Sequence, residues 1–545
     1  MARRVALLSF FIGAATCSCT QRPPVAPVAP HPPVILGLDG RPDPRPDAAF
    51  VEAVRRECAA CHVLPSPGDA PRGFWKERLQ DMKRFSLTGI GLRRGRESAL
   101  ATLDLAPFVA YFEARAPETL PLSEPWPAAE DGRFERHLLS PPRAVPVPIV
   151  ASTQFFDLEG DGRLQVVACD FGHGLVLLGD PSRKPGELRE IAKVPNPARA
   201  AMVDLDRDGR RDLLIADVGY LLPEDHEKGA VVWLRQTAPG TFERRVLAER
   251  LPRPMDVEAA DFDGDGDLDL VVAAFGLHTR GSILLLENRT TDWKEPQFEP
   301  RVLDTRAGAI DTIPADLDRD GRMDFVALLA QQHETVVAFL NRGGLSFEQR
   351  TIFEAPSPAW GSTGIDLVDI DGDGDLDVLM TNGASLDEFS VKPWHGVRWL
   401  ENRGSYPFAV HDLAALPGAY RARAADLDGD GDLDVAAAAF LPDPDHVRGS
   451  LASLGWLEQT TPGAFVKHAL QTGQLSHRTL DLGDFDGDGD VDILTGNFVG
   501  FTFSFAPTGT GFRADGWVEL WENRTHEGGS SAPPPAPPPS PPSKL

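Results

Sequence analysis

The chain has 545 residues, 42 % of them apolar and 25 % charged, with 49 prolines and a formal charge of −27. It is too long for one ordinary domain, so a globular body with Pro-rich connectors is expected. Its acidic excess excludes the usual electrostatic mode of nucleic-acid binding, and five cysteines in such a length exclude a disulfide framework.

Residues 1–19 read as an export signal, with Ala2, Arg3 and Arg4 at the start, an apolar run from Val5 to Ala15 too short to span a bilayer, and small residues after it. The segment around Cys17 and Cys19 resembles the processing site of bacterial lipoproteins, where the cysteine becomes the lipidated first residue. Neither cysteine has the usual leucine three residues before it, and Ser18 makes Cys19 the better fit. This resemblance implies an exported chain, in the periplasm or at the cell surface, that meets the membrane only through a lipid on Cys19. A plainly cleaved secretory signal is the alternative. No later stretch is apolar enough to span a membrane.

Residues 20–46, rich in Pro, Ala and Val, read as an extended spacer. Residues 47–118 then turn helical. Asp47 can cap a helix carrying Phe50, Val51, Val54 and Cys58; Phe74 to Phe85 makes a second; Asp104 caps a third carrying Leu105, Phe108, Val109 and Phe112. A small all-α domain is expected there.

Within it stands Cys58-Ala59-Ala60-Cys61-His62. Two thiols one helical turn apart can add to the vinyl groups of a haem, and the adjacent histidine reaches the iron from the same side. A redox dithiol needs a βαβ setting and a zinc site needs further ligands, and residues 47–118 offer neither. Met82 is the other soft donor in the segment, beside Trp75, Leu79 and Phe85, and is the expected second axial ligand, although a methionine at helical spacing also suits a core. A His/Met pair favours electron transfer over oxygen chemistry. The CAACH motif with the Trp75 to Met82 helix resembles the small cytochrome c modules fused to repeat propellers in exported bacterial proteins.

A linker at residues 119–132 leads to residues 133–525, where D-x-D-x-D-G-x-x-D recurs at Asp204, Asp261, Asp316, Asp369, Asp426 and Asp484, with a degraded copy at Asp157. Intervals of 47, 57, 55, 53, 57 and 58 residues fit one four-stranded blade each. Each unit has a strand ending in the acidic loop, an apolar strand such as Leu270 to Phe275, a third such as Ile283 to Asn288, and an outer strand such as Phe298 to Leu303. The seventh unit lacks its outer strand, and residues 134–139 (Phe134 to Leu139) have the outer-strand spelling of Phe242 to Leu247. They are expected to complete the last blade, so the fold class is mainly β, a seven-bladed β-propeller behind a small N-terminal all-α cytochrome c-like domain; an open solenoid is the alternative. Residues 526–545 read as a disordered Pro-rich tail.

In each acidic loop, carboxylates at positions 1, 3, 5 and 9 and a backbone carbonyl at 7 can surround a hard cation such as calcium. The candidate ligands are Asp204, Asp206, Asp208 and Asp212; Asp261, Asp263, Asp265 and Asp269; Asp316, Asp318, Asp320 and Asp324; Asp369, Asp371, Asp373 and Asp377; Asp426, Asp428, Asp430 and Asp434; and Asp484, Asp486, Asp488 and Asp492. An EF-hand reading fails, because position 12 is Val272 rather than Glu and a β-branched strand follows. A plain Asp/Gly turn does not need the aspartate at position 9. In the first unit Glu159 and Gln165 replace two of the aspartates, so only six full sites are expected. Without their 24 carboxylates the formal charge would be about −3.

These repeats resemble the FG-GAP/VCBS repeats of integrin-α-like propellers. Such propellers serve adhesion, scaffolding and a few enzymes, so the resemblance implies fold and metal more than function. Three functions remain open: an exported haem c electron-transfer protein whose propeller receives a redox partner protein or extracellular polymer, a propeller oxidoreductase passing electrons to its own haem, and an adhesion or carbohydrate-binding surface protein. No catalytic acid/base pair stands out beyond the loops, which leaves enzyme activity undecided. His173, His226, His278, His333, His395 and His446 fall between second and third strands and would ring the face opposite calcium, as a docking surface or as ordinary loop residues. Cys169, in an apolar strand, reads as a buried inert thiol.

Overall fold

In the computed structural model the described residues are 54, 64–85, 104–121, 123–129, 132–142, 147–181, 184–277, 280–384, 391–441, 451–474, 476–499 and 516–525. The signal, the spacer, Cys19, Cys58, Cys61, His62, His278, His446 and the tail lie outside them.

Seven four-stranded antiparallel sheets are arranged as the blades of a propeller. The second strand of every blade, for example Asp269–Ala274 and Asp434–Ala439, is buried along its whole length. Both faces of such a strand meet neighbouring blades, which is why these strands read as apolar runs rather than as alternating ones. The outer strands, such as Phe298–Asp304, carry their charges to solvent. In the seventh blade Phe134–Leu139 pairs antiparallel with Val518–Asn523, Phe134 opposite Asn523 and Leu139 opposite Val518. The ring is thus closed by one strand from the N-terminal side and three from the C-terminal side.

Inner strands are stitched around the axis by side chains that accept a backbone N–H from the next blade. Asp256 accepts from Thr312 at 2.9 Å, Asp311 from Ile365 at 3.0 Å, and Asp481 from Phe155 at 2.8 Å. These bonds hold the channel at a fixed width and place charged groups along it.

Ahead of the propeller, the described residues hold two short α-helices, α1 (Trp75–Phe85) and α2 (Ala106–Arg115), with short 3-10 turns at Pro67–Asp69 and Arg72–Phe74. The expected first helix is outside the described residues except for Val54, so two short helices stand where a separate all-α domain was expected. Asp104 accepts the Ala106 N–H at 3.0 Å at the start of α2, which satisfies an N-terminal donor. Trp75 stacks on Phe112 with ring centroids 4.2 Å apart, joining the two helices. Asp69 accepts the Ser357 hydroxyl at 2.7 Å, which ties this region to the loop between blades 4 and 5. That loop runs from an outer to an inner strand and so lies on the face opposite the acidic loops. Farther along, Trp126 donates to Ala415 O at 2.8 Å and lies against Gly455, where a side chain would collide with its ring. This straps the linker across the outer edges of blades 5 and 6.

Among the described residues no helix is long and apolar enough to cross a membrane. Cys169 is fully enclosed, and burial pushes its thiol up to about 12, which keeps it protonated.

Candidate functional site

The acidic loops lie at one end of the propeller, where each inner strand turns into the second strand. Their shape is local in origin. Position 1 accepts the N–H of the glycine at position 6, as in Gly266 to Asp261 at 3.0 Å and Gly489 to Asp484 at 3.0 Å. That glycine has a φ of 97° in Gly266 and 98° in Gly489, a region costly for any residue with a side chain. The turn folds the carboxylates inward. In the blade 2, 5 and 6 loops, oxygens of Asp204, Asp206 and Asp212, of Asp369, Asp371 and Asp377, and of Asp426, Asp428 and Asp434 come within 4.8 Å of one another. In blades 3 and 4 the gathered groups are Asp261, Asp263 and Asp265, and Asp316, Asp318 and Asp320.

The donor set suits a hard cation. All the gathered atoms are carboxylate oxygens, and buried Asp204 Oδ1, Asp369 Oδ1 and Asp432 Oδ1 have no hydrogen-bond partner. Burial and the charge of neighbouring aspartates raise the carboxyls of Asp428 and Asp486.

The aspartate at position 9 has a further role. It is buried in all six loops. One oxygen accepts the N–H of position 2, at 2.9–3.4 Å, and the other accepts the N–H at the end of the third strand, at 2.6–2.8 Å. It clamps the loop to the sheet, and the acceptor sites left on a carboxylate still permit metal binding. In blade 1 Gln165 accepts the Leu158 N–H at 2.9 Å, which preserves part of the clamp without the charge. Asp434→Ala would leave the Gln459 and Leu427 amides buried without acceptors, at a cost of about 2–5 kcal/mol. Urea denaturation in chelator reads this scaffold role alone, and a loss below about 1 kcal/mol would refute it.

The third-strand amides are functional residues that pattern reading passed over. Asn288, Asn341, Asn402, Gln459 and Asn523 donate to the carbonyl at position 8 of their own loops at 3.0–3.2 Å. Asn341 and Asn523 also reach back to the loop of the preceding blade, at Phe262 O and Leu427 O. A Glu-Asn-Arg phrase marks three of them, at Asn288, Asn402 and Asn523.

The six loops divide into two kinds. In blade 2 Arg235 pairs with Asp206 at 2.5 Å and Asp208 at 2.7 Å, and in blade 4 Arg342 pairs with Asp318 at 2.8 Å while Arg322 pairs with Asp320. Arg342 holds the Asp318 carboxyl below its usual range. In the other four loops, among the described residues, positions 1, 3 and 5 receive only the longer Arg133 to Asp428 contact at 3.8 Å. Calcium titration is therefore expected to show four tight sites and two weaker ones, with Arg342→Gln tightening the blade 4 site by about tenfold, or about 1.4 kcal/mol. Six equal sites, unchanged by the substitution, would contradict the division.

Of the four residues expected to hold a haem, the structure describes only Met82. Its side chain is 2 % exposed, packed with Val54, Trp75, Leu79, Phe108 and Phe112. This setting fits a thioether core residue and equally fits the apolar, sulfur-bearing wall that a haem requires.

The four described histidines differ in exposure, His173 being exposed and His333 half-buried. Among the four described, His395 is fully enclosed, which holds its pKa well below the usual value, and His226 is 7 % exposed against Arg253. His173 is bound to Asp170 at 2.8 Å, and His333 lies 3.2 Å from Gln332. Three of these have a neighbouring side-chain partner and the fourth is buried.

Residues 204–272 and 316–380 match the FG-GAP-like repeat family. No curated protein matches the chain significantly. Among solved structures, a lectin of Agrocybe aegerita recognising non-reducing terminal N-acetylglucosamine is 17 % identical, over 64 % of this chain and 90 % of that one, with a TM-score of 0.38. BBS1N in complex with ARL6DN is similar at 12 % identity over 74 % of this chain and 98 % of that one, with a TM-score of 0.40. The matched residues span blades 2 to 5 and include four of the acidic loops, so this chain is a seven-bladed β-propeller that carries FG-GAP-like repeats.

Proposed function

We propose that the chain is an exported haem c electron-transfer protein, anchored by lipid at Cys19, whose calcium-loaded propeller is a platform for a redox partner protein or an extracellular polymer. The observation that carries this reading is Cys58-Ala59-Ala60-Cys61-His62, a spacing that attaches haem and supplies an iron ligand with no further donor needed nearby. When bound, the haem supplies reversible one-electron transfer at its iron.

The chain's own residues supply the rest. The Cys58 and Cys61 thiols would hold the group covalently, and the His62 imidazole and the Met82 sulfur would be its iron donors. Trp75, Leu79 and Phe112, all buried beside Met82, exclude water from that side, which lowers the local dielectric around the iron. The Asp69 to Ser357 bond holds this region against the face away from calcium, leaving the acidic loops free to load. The carboxylate oxygens of the six loops would hold calcium, which would relieve their mutual repulsion and stabilise the platform.

The test is a reduced-minus-oxidised spectrum of the exported protein, with metal analysis, recorded with candidate donors. A haem c spectrum, reduction by a partner protein and several equivalents of calcium are expected. Reduction by a sugar or alcohol without a partner would instead select an oxidoreductase, and the absence of a covalent haem would refute the proposal.

A further inference from the structure

Near the acidic-loop end the central channel opens into a cavity of 390 Å³, lined by Arg199, Glu258, Ile313, Met323, Asp366 and Arg423 together with the small side chains between them. That volume is in the range of small-molecule sites. The charged groups facing the channel come from six of the seven inner strands. Arg199 pairs with Asp256 at 3.5 Å and Asp311 at 2.7 Å, and Arg421 pairs with Asp311 at 2.6 Å. Arg423 pairs with Asp366 at 2.5 Å and Asp481 at 3.8 Å. Every arginine is thus committed to carboxylates, and the five carboxylates, Glu258 included, outnumber the three guanidinium groups.

Glu258 differs from the others. Among the described residues it makes no hydrogen bond or close ion pair, and it stands half-buried on the cavity wall. Beside it the wall is apolar, formed by Ala259, Ala260, Ile313, Pro314 and Met323.

We propose that this cavity binds a small organic cation, an alkylammonium or alkylguanidinium, with its charged head on Glu258 and its alkyl body against the apolar wall. An anion is disfavoured because each arginine already has its counter-ions. A calcium ion is disfavoured because it requires six to eight oxygens and only one uncommitted carboxylate is offered. Burial and the neighbouring Asp256 push the Glu258 carboxyl up to about 8, with Arg199 and Arg423 opposing, so binding at neutral pH releases a proton from the site.

The experiment is isothermal titration of the calcium-saturated full chain with butylammonium chloride, with butanol as the neutral analogue. Calcium keeps the acidic loops occupied, so the heat reports the channel. The expected result is a saturable event with one cation per chain, absent with butanol, and weakened at least tenfold by Glu258→Gln. Because this substitution exchanges a protonated carboxyl for a neutral amide of the same shape, the variant is expected to melt no lower than the parent at neutral pH. Ala259→Leu, which fills the cavity and leaves the carboxylate in place, is expected to abolish binding as well. No saturable heat in the parent, or equal binding by parent and Glu258→Gln, would overturn the proposal.

Discussion

Removing calcium is expected to lower the melting temperature of the propeller by on the order of 10 °C. A ligand that binds only the folded chain at a hundred times its dissociation constant stabilises by about 2.7 kcal/mol, so the four loops without internal arginine pairs supply about 11 kcal/mol together. Unfolding roughly 390 residues carries about 2.1 cal/mol/K per residue, or about 0.8 kcal/mol per degree, which converts that loss to about 13 °C. The physical source is the crowding at Asp428 and Asp486, whose carboxyls are held up by burial and by neighbouring aspartates. Differential scanning calorimetry with and without chelator makes the measurement, and a melting temperature indifferent to chelator would refute the calcium assignment.

The metal-free protein should also respond to pH in a particular sense. Burial raises the position 9 carboxyls to about 6 in Asp212, Asp269 and Asp377, about 7 in Asp434 and about 8 in Asp492. A carboxyl whose folded pKa is raised binds a proton in the folded state that the unfolded chain has already lost. Stability therefore falls as pH rises from about 4 to about 8 in the absence of calcium. Calcium, which needs the ionised form, should reverse this trend.

The parts of the molecule written as a repeat were legible in the sequence. The loop spelling fixed blade count and strand order, because a carboxylate ladder and a glycine at positive φ leave little freedom of position. Phe134 to Leu139 share the outer-strand spelling of Phe242 to Leu247, and they pair with Val518–Asn523. What stayed hidden depends on contacts between units. The Asn341 amide reaches a carbonyl in the preceding blade, Asp311 of blade 4 joins Arg199 of blade 2 to Arg421 of blade 6, and Trp126 fits over Gly455. No local period encodes such pairings, since the partners are separated by a blade or more. The arginines of the blade 2 and blade 4 loops were visible as letters, but that Arg235 and Arg342 reach across from the third strand was not.

Met82 carries the other large expected effect, because its two roles predict different outcomes for the same substitutions. As an iron ligand, its sulfur holds the haem potential up, and Met82→Leu keeps the shape while removing the donor. The expected result is a fall in midpoint potential on the order of 100 mV and loss of the spectral signature of sulfur ligation, with the melting temperature nearly unchanged because a Met to Leu swap costs under about 1.5 kcal/mol. As a core residue only, Met82→Leu would leave potential and spectrum intact, while Met82→Ala would cost about 2–5 kcal/mol through the cavity left among Trp75, Leu79, Phe108 and Phe112. Cys58→Ser with Cys61→Ser provides the reference, since it should abolish covalent haem and leave the calcium-dependent melting of the propeller in place. Redox titration of these variants beside calorimetry separates the two roles, and an unchanged potential in Met82→Leu would assign the methionine to packing alone.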